Sequence, residues 1–375
     1  MRVLTSVSAL KQIRLIFRIM GLYPSKNHPR LYAIYSFVLF LIMGISSLSM
    51  ILYLIFITTL EELIQSLPIQ IIMILANWKS LTIRMNADKL SEIEDYLAYL
   101  DDKLLVPNRK DRMQNALKIS RSIFYVFLVS YWVYLIIGAI GSYTNRKLPV
   151  ESWFPFNITS SDEIFFMTWS YQNVVYALQV TRNMGCDAFC PIYLIILICQ
   201  FNLFAAKVER IGTVIGKGPK NNLAELKEGF EIYEVLMRIF NHLDYIISRI
   251  MLTTFLITGV LLSCSVVQCL YFDLTPAEKA GLVMFFTGTP LELALCCYFA
   301  DRFMVKTDQL VNVIYNMNWY EQGPEFRKMV IIFMEMNQNK KVILAGNLKE
   351  VNLAACMDIF KFTYTLIAFV LQMSG

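Results

Sequence analysis

The sequence predicts an all-α membrane protein of seven transmembrane helices, its N-terminus cytoplasmic and its C-terminus extracellular. Three observations carry this. The 375-residue chain is 57% hydrophobic and only 17% charged, against roughly 25% charge in a soluble domain, so its apolar surface needs lipid as a solvent. Several runs approach or exceed the roughly 20 apolar residues that cross a hydrocarbon core about 30 Å thick. Lys and Arg alternate between rich and poor segments along the chain, as they do between cytoplasmic and external loops.

The spans follow in order. Residues 31–60 are uncharged between Arg30 and Glu61, and 63–78 form a shorter run closed by Lys79. Residues 122–145 lie between Arg121 and Arg146, and 250–272 between Arg249 and Asp273. Residues 280–300 are interrupted only by Glu292, and 351–375 contain Asp358 and Lys361. Region 164–206 reads either as one long helix or as two spans joined at Arg182–Asp187. Charge decides. Segments 1–30, 79–121, 207–238 and 302–341 hold six, nine, six and six basic residues, whereas 58–62, 142–163 and 273–279 hold none, two and one. One span over 164–206 puts every rich segment on one side, so the count is seven. The sequon Asn157-Ile158-Thr159 falls in a loop assigned to the outside, which makes Asn157 a candidate glycosylation site.

The N-terminal segment carries Leu10, Ile13, Phe17 and Met20 at helical spacing among Lys11, Arg14 and Arg18. It reads as an amphipathic helix, either lying in the membrane interface or packed on the bundle, and not as a signal peptide. Catalytic, metal-binding and nucleic-acid-binding signatures are missing. The two histidines, His28 and His242, lie far apart. Gly212 to Lys217 is one residue short of a phosphate loop and is followed by Gly218 where a Ser or Thr is needed. Asp301-Arg302-Phe303 follows the sixth span instead of the third, unlike a G-protein-coupled receptor. The eight cysteines all lie in or beside apolar runs, a pattern that predicts reduced thiols. Glu292, and Asp358 with Lys361 at i, i+3, are intramembrane ionisable groups and so candidate functional residues. The i, i+3 spacing predicts a pair on one helix face. The rest of the last helix is apolar with sparse polar groups, which suits a pore with a hydrophobic constriction.

These residues resemble the insect odorant receptor family. The C-terminal third carries Leu310, Tyr315, Trp319-Tyr320, Arg327-Lys328, Met334, Gln338-Asn339-Lys340 and Ala345-Gly346, then Leu353, Ile359, Lys361, Thr363-Tyr364-Thr365 and Gln372. Gly21-Leu22-Tyr23-Pro24 resembles the family's motif before the first span. Leu366 and Met373 stand where taste-receptor relatives have Tyr and Phe, which favours an odorant-tuning subunit. The segment 207–238 is much shorter than the corresponding loop of the shared co-receptor.

The resemblance implies a ligand-gated, non-selective cation channel at the plasma membrane of a sensory neuron. Four subunits, including the co-receptor, would surround a pore lined by the seventh helices. The chain then divides into a cytoplasmic N-terminal segment (1–30), helices one to six with an odorant pocket (31–301), a cytoplasmic anchor and assembly segment (302–350) and a pore helix (351–375). Register against the family puts Phe369 at the outer constriction, with Thr365, Ala368 and Gln372; the alternative is that Phe369 faces lipid or a neighbouring helix. Tyr315, Trp319 and Tyr320 are candidate interface anchors, or pack within a helical hairpin of one subunit. The resemblance also places the ligand between the second, third, fourth and sixth helices. There Trp169, Gln172, Tyr176 and Gln179 form one stripe, joined by Tyr131, Tyr134 and Gly138, by Phe285, Phe286 and Thr289, and by Gln70 and Ile74. These residues either line a pocket or fill an interhelical core. No outer-half acid or base is expected to converge on them, which predicts a small, neutral, largely apolar and aromatic volatile. A secondary transporter of a small apolar molecule is the rival reading, but no internal repeat or paired broken spans accompany it.

Overall fold

The computed structural model describes residues 5–24, 28–105, 110–158, 160–212, 219–272 and 274–374. Its elements are α1 (Ser6–Ile19), α2 (Pro29–Phe56), α3 (Leu60–Met85), α4 (Ala87–Leu104), α5 (Lys110–Thr144), α6 (Asp162–Val208), α7 (Pro219–Tyr271), α8 (Pro276–Tyr315), α9 (Pro324–Asn337), a short hairpin of β1 (Leu344–Ala345) and β2 (Lys349–Glu350), and α10 (Leu353–Ser374). Six of the helices, α2, α3, α5, α6, α7 and α8, are long and apolar enough to span a membrane, and α10 completes seven. Gly212 apart, the segment resembling a phosphate loop lies outside the described residues, as does Thr159 of the sequon.

The ambiguous region is one continuous helix. At 47 residues, α6 is about 70 Å long at 1.5 Å per residue, so it crosses the bilayer and continues well beyond it. Arg182 to Asp187 is helical within it. Every residue from Arg182 to Leu197 is buried, because α6 is the central post against which α1–α5, α7 and α8 all pack. A helix surrounded by neighbours has no polar face. By contrast, α2 buries only Ser36, Met43, Ser47 and Met50, one narrow stripe, and offers the rest of its apolar surface to lipid.

The end of the bundle rich in basic residues is tied together by specific polar contacts. Ser6 donates from its backbone N–H to Asp101 Oδ2 at 2.6 Å and from Oγ to Oδ1 at 2.8 Å. Gln200 Nε2 donates to the same Oδ1 at 2.7 Å, so α1, α4 and α6 share one carboxylate. Leu10, Ile13, Phe17 and Met20 are all buried, so the apolar stripe of α1 packs on protein, which settles the choice left open above. Beyond it, Phe333 of α9 stacks among Phe204, Phe230 and Tyr233, with ring centroids 4.5 Å apart for Phe230 and Phe333. Gly346 turns the β-hairpin at φ +56°, and its N–H donates to Ser248 Oγ of α7 at 3.0 Å. A Cβ there would lie 2.5 Å from a terminal methyl of Leu252, so the left-handed backbone favours glycine and any larger residue must also displace Leu252.

Two expectations are corrected here. Cys190 of α6 and Cys296 of α8 form a disulfide, while the other six cysteines are free. The two helices pack side by side and bring Cα atoms 106 residues apart in sequence to 5.8 Å, within disulfide range. Asp358 has as its close ion-pair partner Lys349 of β2, at 2.5 Å, because the hairpin folds back beside the first turns of α10.

Candidate functional site

Between α3, α5, α6, α7 and α8, in the outer half of the bundle, lies a cavity of about 190 Å³. Its upper walls are Ile69, Ile72 and Met73 of α3, Tyr134 of α5, Tyr176 and Val180 of α6, Leu261 of α7 and Phe285 and Thr289 of α8. Thr254 and Thr258 of α7, Gly288 of α8 and Phe127, Ser130 and Tyr131 of α5 also line it. The hydroxyls of Tyr134 and Tyr176 lie against each other across the α5–α6 contact, so each partly satisfies the other on an otherwise largely apolar wall. An apolar cavity of about 150 Å³ accepts benzene, so this one suits a single ring with a short substituent.

The inner end of the cavity is ionic. Lys79 Nζ of α3 donates to Asp187 Oδ1 of α6 at 2.6 Å and to Glu292 Oε1 of α8 at 2.7 Å. Asp187 Oδ2 accepts from Tyr131 OH at 2.6 Å and from Asn183 Nδ2 at 2.8 Å. Charges in so apolar a setting persist only when paired and hydrogen-bonded. One ammonium therefore holds three helices together at membrane depth. Lys79, Asn183 and Glu292 all line the cavity, which overturns the expectation that no acid or base converges there. Sequence reasoning missed the cluster because its partners are 108 and 213 residues apart: Lys79 reads as the end of a span and Asp187 as part of a turn. Glu292 alone carried a signal, as a carboxylate inside an apolar run.

Of the twelve pocket residues read from the sequence, the structure brings Tyr131, Tyr134, Tyr176, Phe285 and Thr289 to the cavity. The others lie elsewhere. Gln172 donates to the Val150 carbonyl at 2.9 Å. Gln179 donates to the Met43 carbonyl and Ser47 Oγ of α2, and Trp169 Nε1 to Ser142 Oγ at 3.0 Å. The stripe does point inward, but at three of its four positions the neighbour is α2, α5 or the loop before α6. Ile74 and Gly138 are exposed, Gln70 is buried off the cavity, and Phe286 packs edge-on against Phe285.

On α10, Thr365, Ala368, Phe369 and Gln372 are all exposed in the single chain, on the side away from buried Thr363. The helix packs on α7 and α8, with the Phe362 ring against Gly259 of α7. In the 302–350 segment, Tyr315 and Tyr320 are exposed at 63% and 66%, while Trp319 Nε1 donates to the Tyr315 carbonyl at 3.0 Å. Asn157 is exposed.

This arrangement has relatives. The family model described as 7tm Odorant receptor matches residues 59–364. Odorant receptor 33b of Drosophila melanogaster is 26% identical over 324 residues, 84% of each chain. Odorant receptor 2a of the same species is 24% identical over 363 residues, 91% of this chain and 90% of that one. Among solved structures, the insect olfactory receptor OR5 from Machilis hrabei, in complex with eugenol, superposes with a TM-score of 0.85 over 98% of both chains at 14% identity, a likeness of fold. The relatives are receptors, not enzymes. A seven-helix bundle of this fold, matched over most of its length by the family model, belongs to the insect odorant receptor family.

Proposed function

We propose that the chain is an odorant-tuning subunit of a ligand-gated, non-selective cation channel at the plasma membrane, assembled as a heterotetramer with the shared co-receptor. The observation that carries this reading is the cavity itself, walled by five helices, with aromatic side chains in its lining and sized for one substituted ring. The relative OR5 is described with eugenol, a small aromatic volatile.

The route from ligand to pore runs through α7. Thr258 lines the cavity, and the next residue, Gly259, is the one against which Phe362 of α10 packs. A ligand that pushes α7 and α8 outward moves the surface on which α10 rests. The exposed face carrying Thr365, Ala368, Phe369 and Gln372 would line the pore together with the last helices of the co-receptor subunits, where a constriction to which Phe369 contributes, narrow enough to exclude water, blocks ions until the helices separate. Tyr315 and Tyr320 supply exposed aromatics for assembly on the cytoplasmic side.

The test is electrical, in cells expressing the chain with the co-receptor. Tyr134→Ala and Tyr176→Ala each raise the half-maximal odorant concentration about tenfold, a loss of about 1.4 kcal/mol, and leave the maximal current from a co-receptor agonist unchanged. Gln372→Arg alters cation permeability without reordering the odorants. Unchanged potency in both tyrosine variants moves the ligand elsewhere, and saturable uptake of the volatile without current replaces the channel with a transporter.

A further inference from the structure

The inner end of the cavity has a polarity that its walls lack. Lys79 is engaged with two carboxylates and its side chain is 3% exposed. Asp187, 1% exposed, is saturated: one oxygen accepts from Lys79 and the other from Tyr131 and Asn183. Glu292 differs. One of its oxygens takes Lys79, and its side chain is 17% exposed on the cavity side. Asn183 differs too: its Nδ2 is engaged by Asp187, but Oδ1, buried and part of a residue that lines the cavity, accepts no hydrogen bond. The Tyr131 hydroxyl is already donating to Asp187. The cluster therefore sets two carboxyl groups against one ammonium, with Glu292 at the cavity wall and the unpaired Asn183 Oδ1 buried beside it. A buried acceptor left without a donor is costly, and a hydrogen bond to a carboxylate is of the stronger kind.

We infer that this site selects a ligand carrying a single hydrogen-bond donor, an O–H or N–H, on a small apolar ring or chain: Glu292 accepts from the donor, Asn183 Oδ1 assists, and the apolar body lies outward between Tyr134, Tyr176 and Phe285. The inference rests on the reading of the cavity as the odorant site and sharpens its ligand class from apolar volatiles to donor-bearing ones. A neutral alcohol and a protonated amine share this chemistry. The amine also balances the second carboxylate and can lie against the aromatic faces.

The experiment uses the full chain with the co-receptor, reading current and thermal stabilisation of the purified complex. The probes are benzyl alcohol, benzylamine and the donor-free benzyl methyl ether. Benzyl alcohol or benzylamine is expected to act at a concentration at least tenfold below the ether. Glu292→Leu brings that ratio to within about threefold, and Asn183→Leu reduces it. Glu292→Gln keeps the side-chain shape, leaves Lys79 paired with Asp187 and removes any preference for the amine over the alcohol; surface labelling confirms that each variant reaches the membrane. Equal potency of the ether in the unmodified receptor overturns the inference without any variant. So does a ratio that survives in both Glu292 variants, or a receptor that answers neither donor-bearing probe. Gly288→Trp separates this from the underlying reading, since a Cβ at Gly288 meets nothing within 4 Å and the indole fills the cavity. If Gly288→Trp silences every volatile while the donor ratio is near one, only the donor inference falls. If it silences none, the cavity is not the odorant site.

Discussion

From Arg182 to Leu197, α6 is buried on every face, and the packing around its inner part is continuous with α1, α4 and α9 through Phe17, Leu100, Phe204 and Phe333. Outward of Arg182 the same helix meets a separate and much smaller apolar cluster, Met50, Met73, Leu135, Val150, Tyr176 and Val180, beside the cavity. The inner half is cross-tied by the Asp101 carboxylate, by the Cys190–Cys296 disulfide and by Glu228, which accepts from Lys207 at 2.8 Å and Lys103 at 3.1 Å. The outer half is tied by single side-chain bonds from Trp169, Gln172, Gln179 and Gln268, but its apolar cluster is small and it keeps open space. Regions with few buried contacts open and deform at lower free energy. In this bundle a rigid base carries a compliant upper storey, and the Lys79 cluster is the seam between them.

The largest effect tests the base. Phe333→Ala removes a buried ring from a four-ring cluster, at a cost of about 3–5 kcal/mol, and is expected to abolish surface expression of the receptor. A ring deleted from the outer storey, as in Tyr176→Ala, leaves expression near normal and changes potency. If both variants express equally well, the contrast between the halves is broken.

The next probes the seam. Lys79→Met leaves Asp187 and Glu292 facing each other without their ammonium, and breaking a buried ion pair from one side costs about 3–5 kcal/mol. The melting temperature of the purified complex should fall, and the double variant Lys79→Met with Glu292→Leu should recover part of the loss. Failure of the second substitution to rescue would mean that Lys79 contributes by packing and not by charge.

The smallest effect concerns pH and sharpens the view of the base. Burial raises the pKa of Asp101 above its ordinary value, against its bonds from Ser6 and Gln200. The bond from Lys207, the largest influence on Glu228, lowers that pKa instead. A raised carboxylate pKa gives stability that is full below the unfolded value and lost as pH rises through the folded one. A lowered pKa gives stability present above the unfolded value and lost as pH falls through the folded one. As pH falls through the carboxylate range the two groups act in opposite directions. Asp101→Asn is therefore expected to steepen the acid loss of stability, and Glu228→Gln to flatten it, in melting curves recorded across that range. Slopes that change in the same direction would assign the acid response to other groups.

Much of this was legible from residue pattern. Continuous apolar runs bounded by charge marked the spans, and the alternation of basic loops kept 164–206 as one helix although Arg182, Asn183 and Asp187 resemble a turn. Those three residues are polar because they meet polar partners from other helices, not because the chain bends there. The family resemblance named the helices and the mixed aromatic and polar faces named the positions for Tyr131, Tyr134, Tyr176, Phe285 and Thr289, since such groups avoid lipid when a bundle interior is available. The facial pattern failed for Gln172 and Gln179 because a helical face records only that a residue points inward, not which neighbour it meets. The same limit hid Thr254 and Thr258 of α7, ordinary polar punctuation in an apolar run.

Composition and spacing by themselves determined that this chain lives in lipid, crosses it seven times and carries family motifs at both ends. These are local properties, fixed by solvation free energy per residue and by the length of a helix needed to cross a bilayer. The tertiary structure alone decided which helices touch. It paired Cys190 with Cys296, turned the apolar face of α1 into the bundle, gave Asp358 to Lys349 and gathered Lys79, Asp187 and Glu292 into one cluster. A buried charge specifies that it must have a partner, but which of the available partners it takes depends on how seven similar apolar helices pack, and that is settled by side-chain shape across contacts a hundred or more residues apart.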